Sequence, residues 1–194
     1  MKDKALQTMN AVIVLYFLLS RFFGKCSSQS YIDCTQMCNF AETQEIVARN
    51  PIQYMSLPQI FQLTFEVKIA GNTNQYPILA NILEIWSVSL KKSLVSISLE
   101  PLYNSNQITI SYGGQKIFDY GPAVTFSDTD FTWLSLTIKE TSLTFGNEKY
   151  SKSFPLSTGA LLSDKNILYT SYIEDTGEFS SGGLIRNIIF QGMI

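Results

Sequence analysis

The chain has 194 residues, 45% of them hydrophobic and 13% aromatic, with only 15% charged and a net charge of −2. That is enough apolar material for one buried core plus an appendage, and it excludes a disordered tail. There is no histidine, and the one basic pair, Lys91-Lys92, falls far short of the stripe a nucleic acid needs, so Ser-His-Asp chemistry is excluded and no nucleic-acid partner is expected.

At the amino end Lys2 and Lys4 precede an apolar run from Ala11 to Leu19, and small residues follow from Gly24. This is the order of a secretory signal peptide. Arg21 interrupts the run, and even extended through Phe23 it is shorter than the roughly 20 apolar residues that span a bilayer. The reading is a cleaved leader over residues 1–28, a mature terminus between Ser27 and Ser30, and a secreted, extracellular protein. The alternative is an uncleaved signal anchor in which Arg21 and Lys25 reach the interface, which would tether the chain to a membrane. Cleavage removes Lys2, Lys4, Arg21 and Lys25 but only one acid, Asp3, and leaves a more acidic chain.

All three cysteines, Cys26, Cys34 and Cys38, lie near this end. A cut after Cys26 or Ser28 leaves two, and Cys34 and Cys38 in "CTQMC" can close a small disulfide loop in an oxidising compartment. Two free thiols or a metal site are the competing readings, though two thiolates without histidine are a poor zinc site. Residues 29–59 read as a connector. Within it "NFAETQEIVARNPIQYMSLPQ" has Glu42 and Glu45 early, Arg49 late and Pro51 as a stop, which predicts a short helix.

From Ile60 the period changes to two. "FQLTFEVKI" puts Phe61, Leu63, Phe65, Val67 and Ile69 on one face and Gln62, Thr64, Glu66 and Lys68 on the other, the pattern of a half-buried strand. "ILANILEIWSVSL", "SLVSISLEPL", "QITISYGGQKIFDYG", "NILYTSYI" and "LIRNIIFQG" follow at short intervals between turn residues. In "FTWLSLTIKETSLTFGNEKY" the residues Leu134, Leu136 and Ile138 share a face with Leu143 and Phe145, while Trp133, Ser135 and Thr137 point the other way. Many short strands with regular turns predict an all-β, two-sheet antiparallel sandwich or jelly roll over residues 60–194.

The Trp133 hairpin, with its Gly146-Asn147 ending, resembles the central hairpin of laminin G-like domains in the concanavalin A-like lectin superfamily. The closing segment "SSGGLIRNIIFQG" is similar to that family's last strand, through Gly183, Ile185, Arg186, Asn187 and Ile188. The resemblance covers roughly residues 60–194. It departs from the family pattern at Leu184, where many members carry a cysteine, and at Gly146-Asn147, where an Asp-Gly turn is usual.

The resemblance implies a jelly roll whose concave face or rim loops hold glycans or extracellular proteins, sometimes through calcium. The carboxylates Asp128 and Asp130 in "FSDTDF", and Glu174, Asp175 and Glu178 in "YIEDTGEF", are the candidate ligand-binding residues, with Asp128 and Asp130 as weak calcium candidates. The plain reading of the same residues is solvated turn acids. Trp86, Tyr103, Tyr112, Tyr120 and Trp133 can stack on sugar rings, or simply pack. Enzymes share the superfamily, but the alternating acid strand of its glucanases would need acids two and four residues after Glu84, where this chain has Trp86 and Val88. The reading is a non-catalytic recognition module with no required cofactor, calcium aside. The alternative is a structural subunit of a larger extracellular or membrane-attached assembly.

Overall fold

A computed structural model describes residues 30–47, 49–69, 80–102, 105–119, 126, 129–171, 179–180 and 182–193. The described residues contain strands and turns and no helix. One sheet takes β1 (Ile32–Asp33), β4 (Pro51–Ser56), β13 (Asn166–Tyr169), β6 (Ala80–Ser87), β7 (Lys92–Leu102), β8 (Ser105–Tyr112) and β9 (Gln115–Asp119) in that spatial order, with β14 (Phe179–Ser180) also on β6. The other takes β12 (Ser151–Pro155), β11 (Ser142–Asn147), β10 (Thr132–Ile138), β5 (Phe61–Lys68), β15 (Leu184–Gly192) and β2 (Met37–Phe40), with β3 (Gln44–Glu45) also on β15. Pairing is antiparallel except β1 on β4 and β14 on β6.

The core follows from the alternation. Phe61, Leu63, Phe65 and Val67 of β5 are buried beside Leu134, Leu136 and Ile138 of β10, Leu143 and Phe145 of β11, and Ile185, Ile188 and Phe190 of β15. Leu83, Ile85, Val95, Ile97, Leu99, Ile108, Ile110 and Leu168 face them from the other sheet. Each such side chain is worth about 1.5–3 kcal/mol of burial, which is why the period-two pattern decides the fold. Leu136 stands directly opposite Phe145, with Leu143 opposite Ile138.

The predicted helix before Pro51 is replaced by strands. Residues 37–40 and 44–45 pair with the edge of β15, and residues 51–56 sit between β1 and β13. Glu42, Glu45 and Arg49 imitate helix punctuation, but Cys38, Ile46 and Met55 are buried against the sheets, and unpaired sheet edges offer the backbone hydrogen bonds that an isolated short helix would have to make alone.

Cys34 and Cys38 form the expected disulfide, with Cα atoms 5.1 Å apart. It sits where the chain changes sheets. The Cys34 N–H donates to the Ser56 carbonyl of β4, while Cys38 lies within β2 on the opposite sheet. Gly192 permits this turn to lie close, because a Cβ there would run into the Thr35 carbonyl oxygen. At the β8–β9 turn Gly113 and Gly114 hold φ of +61° and +81°, the left-handed pair of a two-residue hairpin.

Strand directions divide the sandwich ends. One rim, the near rim, carries the disulfide loop and the turns after β4, β6, β8 and β10, whose strands end at Ser56, Ser87, Tyr112 and Ile138. The opposite, far rim carries the strand ends Lys68, Asp119, Thr132, Tyr169 and Leu184.

Candidate functional site

The acidic loops "FSDTDF" and "YIEDTGEF" leave and rejoin strands at Asp119, Thr132, Tyr169 and Phe179, all on the far rim. Of the five candidate carboxylates, Asp130 is described. It is exposed, and Thr129 Oγ1 donates to its Oδ2 at 3.1 Å. Asp128, Glu174, Asp175 and Glu178 lie outside the described residues, as do Tyr103 and Tyr120. Among the described residues no group of three or more acidic, cysteine or histidine side chains could hold a metal.

Next to Asp130 the outer face of the β5–β10–β15 sheet carries a cluster. Alternation points Glu66 and Lys68 of β5 outward, and Trp133 pairs opposite Glu66. Arg186, also opposite Glu66 in register, donates from Nε to Glu66 Oε2 at 2.7 Å, and Asn187 Nδ2 donates to Oε1 at 3.1 Å. The Arg186 guanidinium lies 3.8 Å from the centroid of the Phe131 ring, and Lys68 Nζ lies 5.4 Å from it. Burial alone would raise the Glu66 pKa. The hydrogen bonds from Arg186 and Asn187, with the Arg186 charge, outweigh it and hold the carboxyl below its ordinary value.

A bulge makes this possible. Register slips between Arg186 and Ile189, and Asn187 takes a φ of +51°. Consecutive residues in a regular strand face opposite ways, so two adjacent polar side chains reach one carboxylate only where an extra residue is inserted. The sequence carried this signal: Ile185 and Ile188 flank Arg186-Asn187, a spacing that period two cannot satisfy. Sequence reasoning used Arg186 and Asn187 only as marks of resemblance and did not find Phe131, Lys68 or Glu66 as site residues.

The remaining candidates separate. Trp133 is half-buried on the outer face beside Glu66. Tyr112 is core: it is 3% exposed, and its hydroxyl accepts from the Leu161 N–H at 2.6 Å. Trp86 is half-buried on β6, and Val88 lies beyond that strand in a turn. Glu84 is 5% exposed, and Asn81 Nδ2 donates both to its Oε2 at 3.1 Å and to Ser96 Oγ at 3.0 Å.

No protein-family model matches the chain, and no curated protein matches it. Solved structures do. The receptor-binding domain of botulinum neurotoxin mosaic serotype C/D superposes with a TM-score of 0.51 at 12% identity, covering 80% of this chain and 42% of that one. The fold is an all-β, two-sheet jelly-roll sandwich. A heptameric pentraxin from Limulus polyphemus gives 0.48 at 4% identity over 81% of this chain and 77% of that one. Domain 4 of an extracellular arabinanase from Geobacillus stearothermophilus, in complex with arabinotriose, gives 0.45 at 12% identity over 69% and 60%. The chain thus spans less than two thirds of the arabinanase domain and under half of the neurotoxin domain.

Proposed function

We propose that the chain is a secreted, non-catalytic recognition module of laminin G-like type that binds a glycan at the far rim. One observation carries the reading: the strand ends that flank both acidic loops share a rim with the Phe131–Arg186–Glu66 cluster and the exposed Asp130. Carboxylates accept sugar hydroxyl hydrogens, an arginine donates to sugar oxygens, and the half-buried ring of Trp133 offers a face on which a pyranose can pack. A rigid sandwich commonly leaves such chemistry to its loops. Asp128 with Asp130 supplies hard oxygen for calcium as an accessory to binding.

The non-catalytic part rests on β6, where Glu84 is buried and held by Asn81, and where the two positions that would complete an alternating acid strand are Trp86 and Val88. Secretion is supported by the leader-like amino terminus and by the Cys34–Cys38 disulfide, which belongs in an oxidising compartment. The test is a glycan array probed with the purified protein, with calcium and with chelator. Binding is expected to fall at least tenfold in the Asp128→Ala, Asp130→Ala double variant. A parent with no array signal in either condition removes the glycan reading and leaves a protein ligand.

A further inference from the structure

At the near rim, opposite the proposed recognition site, Val88, Leu90 and Leu162 are 37%, 38% and 68% exposed. Their neighbours Leu94 and Leu156 are buried at 2% and 6%, so aliphatic side chains at this rim are not exposed for lack of a core to enter. Two loops present them. The β6–β7 turn and the segment before β13 are joined by the Val88 N–H, which donates to the Lys165 carbonyl at 2.9 Å.

Beneath this surface a buried polar network locks both loops. Ser87 Oγ and Ser163 Oγ are 2.6 Å apart, Ser163 Oγ donates to Asn166 Oδ1 at 2.8 Å, Asn166 Nδ2 donates to the Ser163 carbonyl at 3.0 Å, and the Leu90 N–H donates to Ser87 Oγ at 3.0 Å. Ser87 and Asn166 are fully buried and Ser163 is 3% exposed. The Tyr112 hydroxyl fixes the adjoining Leu161 N–H. A fully satisfied buried network of this kind holds the aliphatic tips in place before any partner arrives, which lowers the ordering cost of binding.

The charge around the tips selects the partner. Lys91, Lys92 and Lys165 are exposed immediately beside them together with the acid Asp164, while farther along the same rim Lys139 and Glu140 on one turn cancel and Asp33 on β1 is balanced by Lys116 at the start of β9. A chain with net negative charge has therefore gathered positive charge around an apolar point. Aliphatic tips ringed by lysines match the boundary of an anionic bilayer, where apolar side chains enter the headgroup layer and ammonium groups meet lipid anions.

We propose that the near rim seats on an anionic membrane surface, with Val88, Leu90 and Leu162 in the headgroup layer and Lys91, Lys92 and Lys165 on the lipid anions. The far rim then faces away from the membrane. This docking stands independently of the glycan reading and of whether the amino-terminal segment is cleaved.

The experiment places a reporter at the contact. The full chain carrying Leu162→Trp, at a position already 68% exposed and so tolerant of change, is titrated with vesicles whose acyl chains are brominated. The vesicles are either phosphatidylcholine alone or phosphatidylcholine with phosphatidylserine at 7:3. The parent corrects for Trp86 and Trp133. The expected result is quenching of the added indole by the anionic vesicles with an apparent affinity at least tenfold above that for neutral ones, since each lysine near an anionic surface contributes about fivefold. Adding Lys91→Ser, Lys92→Ser and Lys165→Ser should abolish that preference. Three results overturn the proposal: no quenching by either vesicle, quenching that the lysine changes leave intact, or an emission shift that grows with protein concentration in the absence of lipid. The last assigns the surface to a second copy of the chain.

Discussion

Leu136 and Thr137 are neighbours in one strand with opposite surroundings. Leu136 is fully buried opposite Leu63 and Phe145, and Thr137 faces outward. Leu136→Ala should cost about 2–5 kcal/mol and Thr137→Ala less than about 1 kcal/mol, read from urea midpoints; equal costs would reverse the face assignment. Glu66 makes a pH-dependent prediction. Its folded pKa lies below the unfolded one, so its stabilisation is complete above the ordinary carboxylate range and is lost as pH falls through the lower folded value. The pair is partly exposed, with Arg186 at 40% and Glu66 at 25%, which limits the effect to the order of 1 kcal/mol. Glu66→Gln should therefore be less stable than the parent at pH 7 and converge on it toward pH 3. A gap that is the same at both pH values would contradict the ion pair. At this scale the core was readable from alternation, because burial of each second residue is a local property. The Glu66–Arg186–Phe131 cluster was not, because its members are up to 120 residues apart and meet only through strand register.

Among the elements, β5, β10 and β11 lie where period two placed them, since their apolar faces are strict and their turns polar. Other elements escaped for stated reasons. β8 and β9 read as one segment, although Gly113-Gly114 between them is a strong two-residue hairpin signal. β12 is an exposed edge strand with Lys152 and Pro155, whose weak pattern carries little hydrophobic information. β2 to β4 were obscured by helix-like punctuation, and only the sheet edges decide them. The disulfide at this sheet crossing closes a short loop, so its stabilisation should be about 2 kcal/mol. Cys34→Ser with Cys38→Ser should lower the unfolding free energy by that amount, and peptide mass mapping after alkylation of the unreduced parent should show no label on Cys34 or Cys38. Gly192→Ala, which forces a side chain onto the Thr35 carbonyl, should destabilise the same corner without touching the disulfide. A neutral Gly192→Ala would mean that the disulfide loop does not lie against β15.

Across the whole molecule the sandwich separates two kinds of chemistry. The near rim combines exposed aliphatics with lysines over a buried Ser87–Ser163–Asn166 network. The far rim combines the strand ends of two acidic loops with an aromatic ring, a guanidinium and a carboxylate. Sequence alone supplied the acidic loops but not the common rim of the strand ends that flank them, since strand order in a jelly roll is set by pairing between distant segments. The most direct test of the far-rim claim is hydrogen-exchange mass spectrometry on the full chain, with and without the glycan that gives the strongest array signal. The account predicts protection in residues 120–133 and 172–188 and unchanged exchange in residues 88–92 and 156–165. Protection confined to residues 88–92 and 156–165, with none at the far rim, would contradict it.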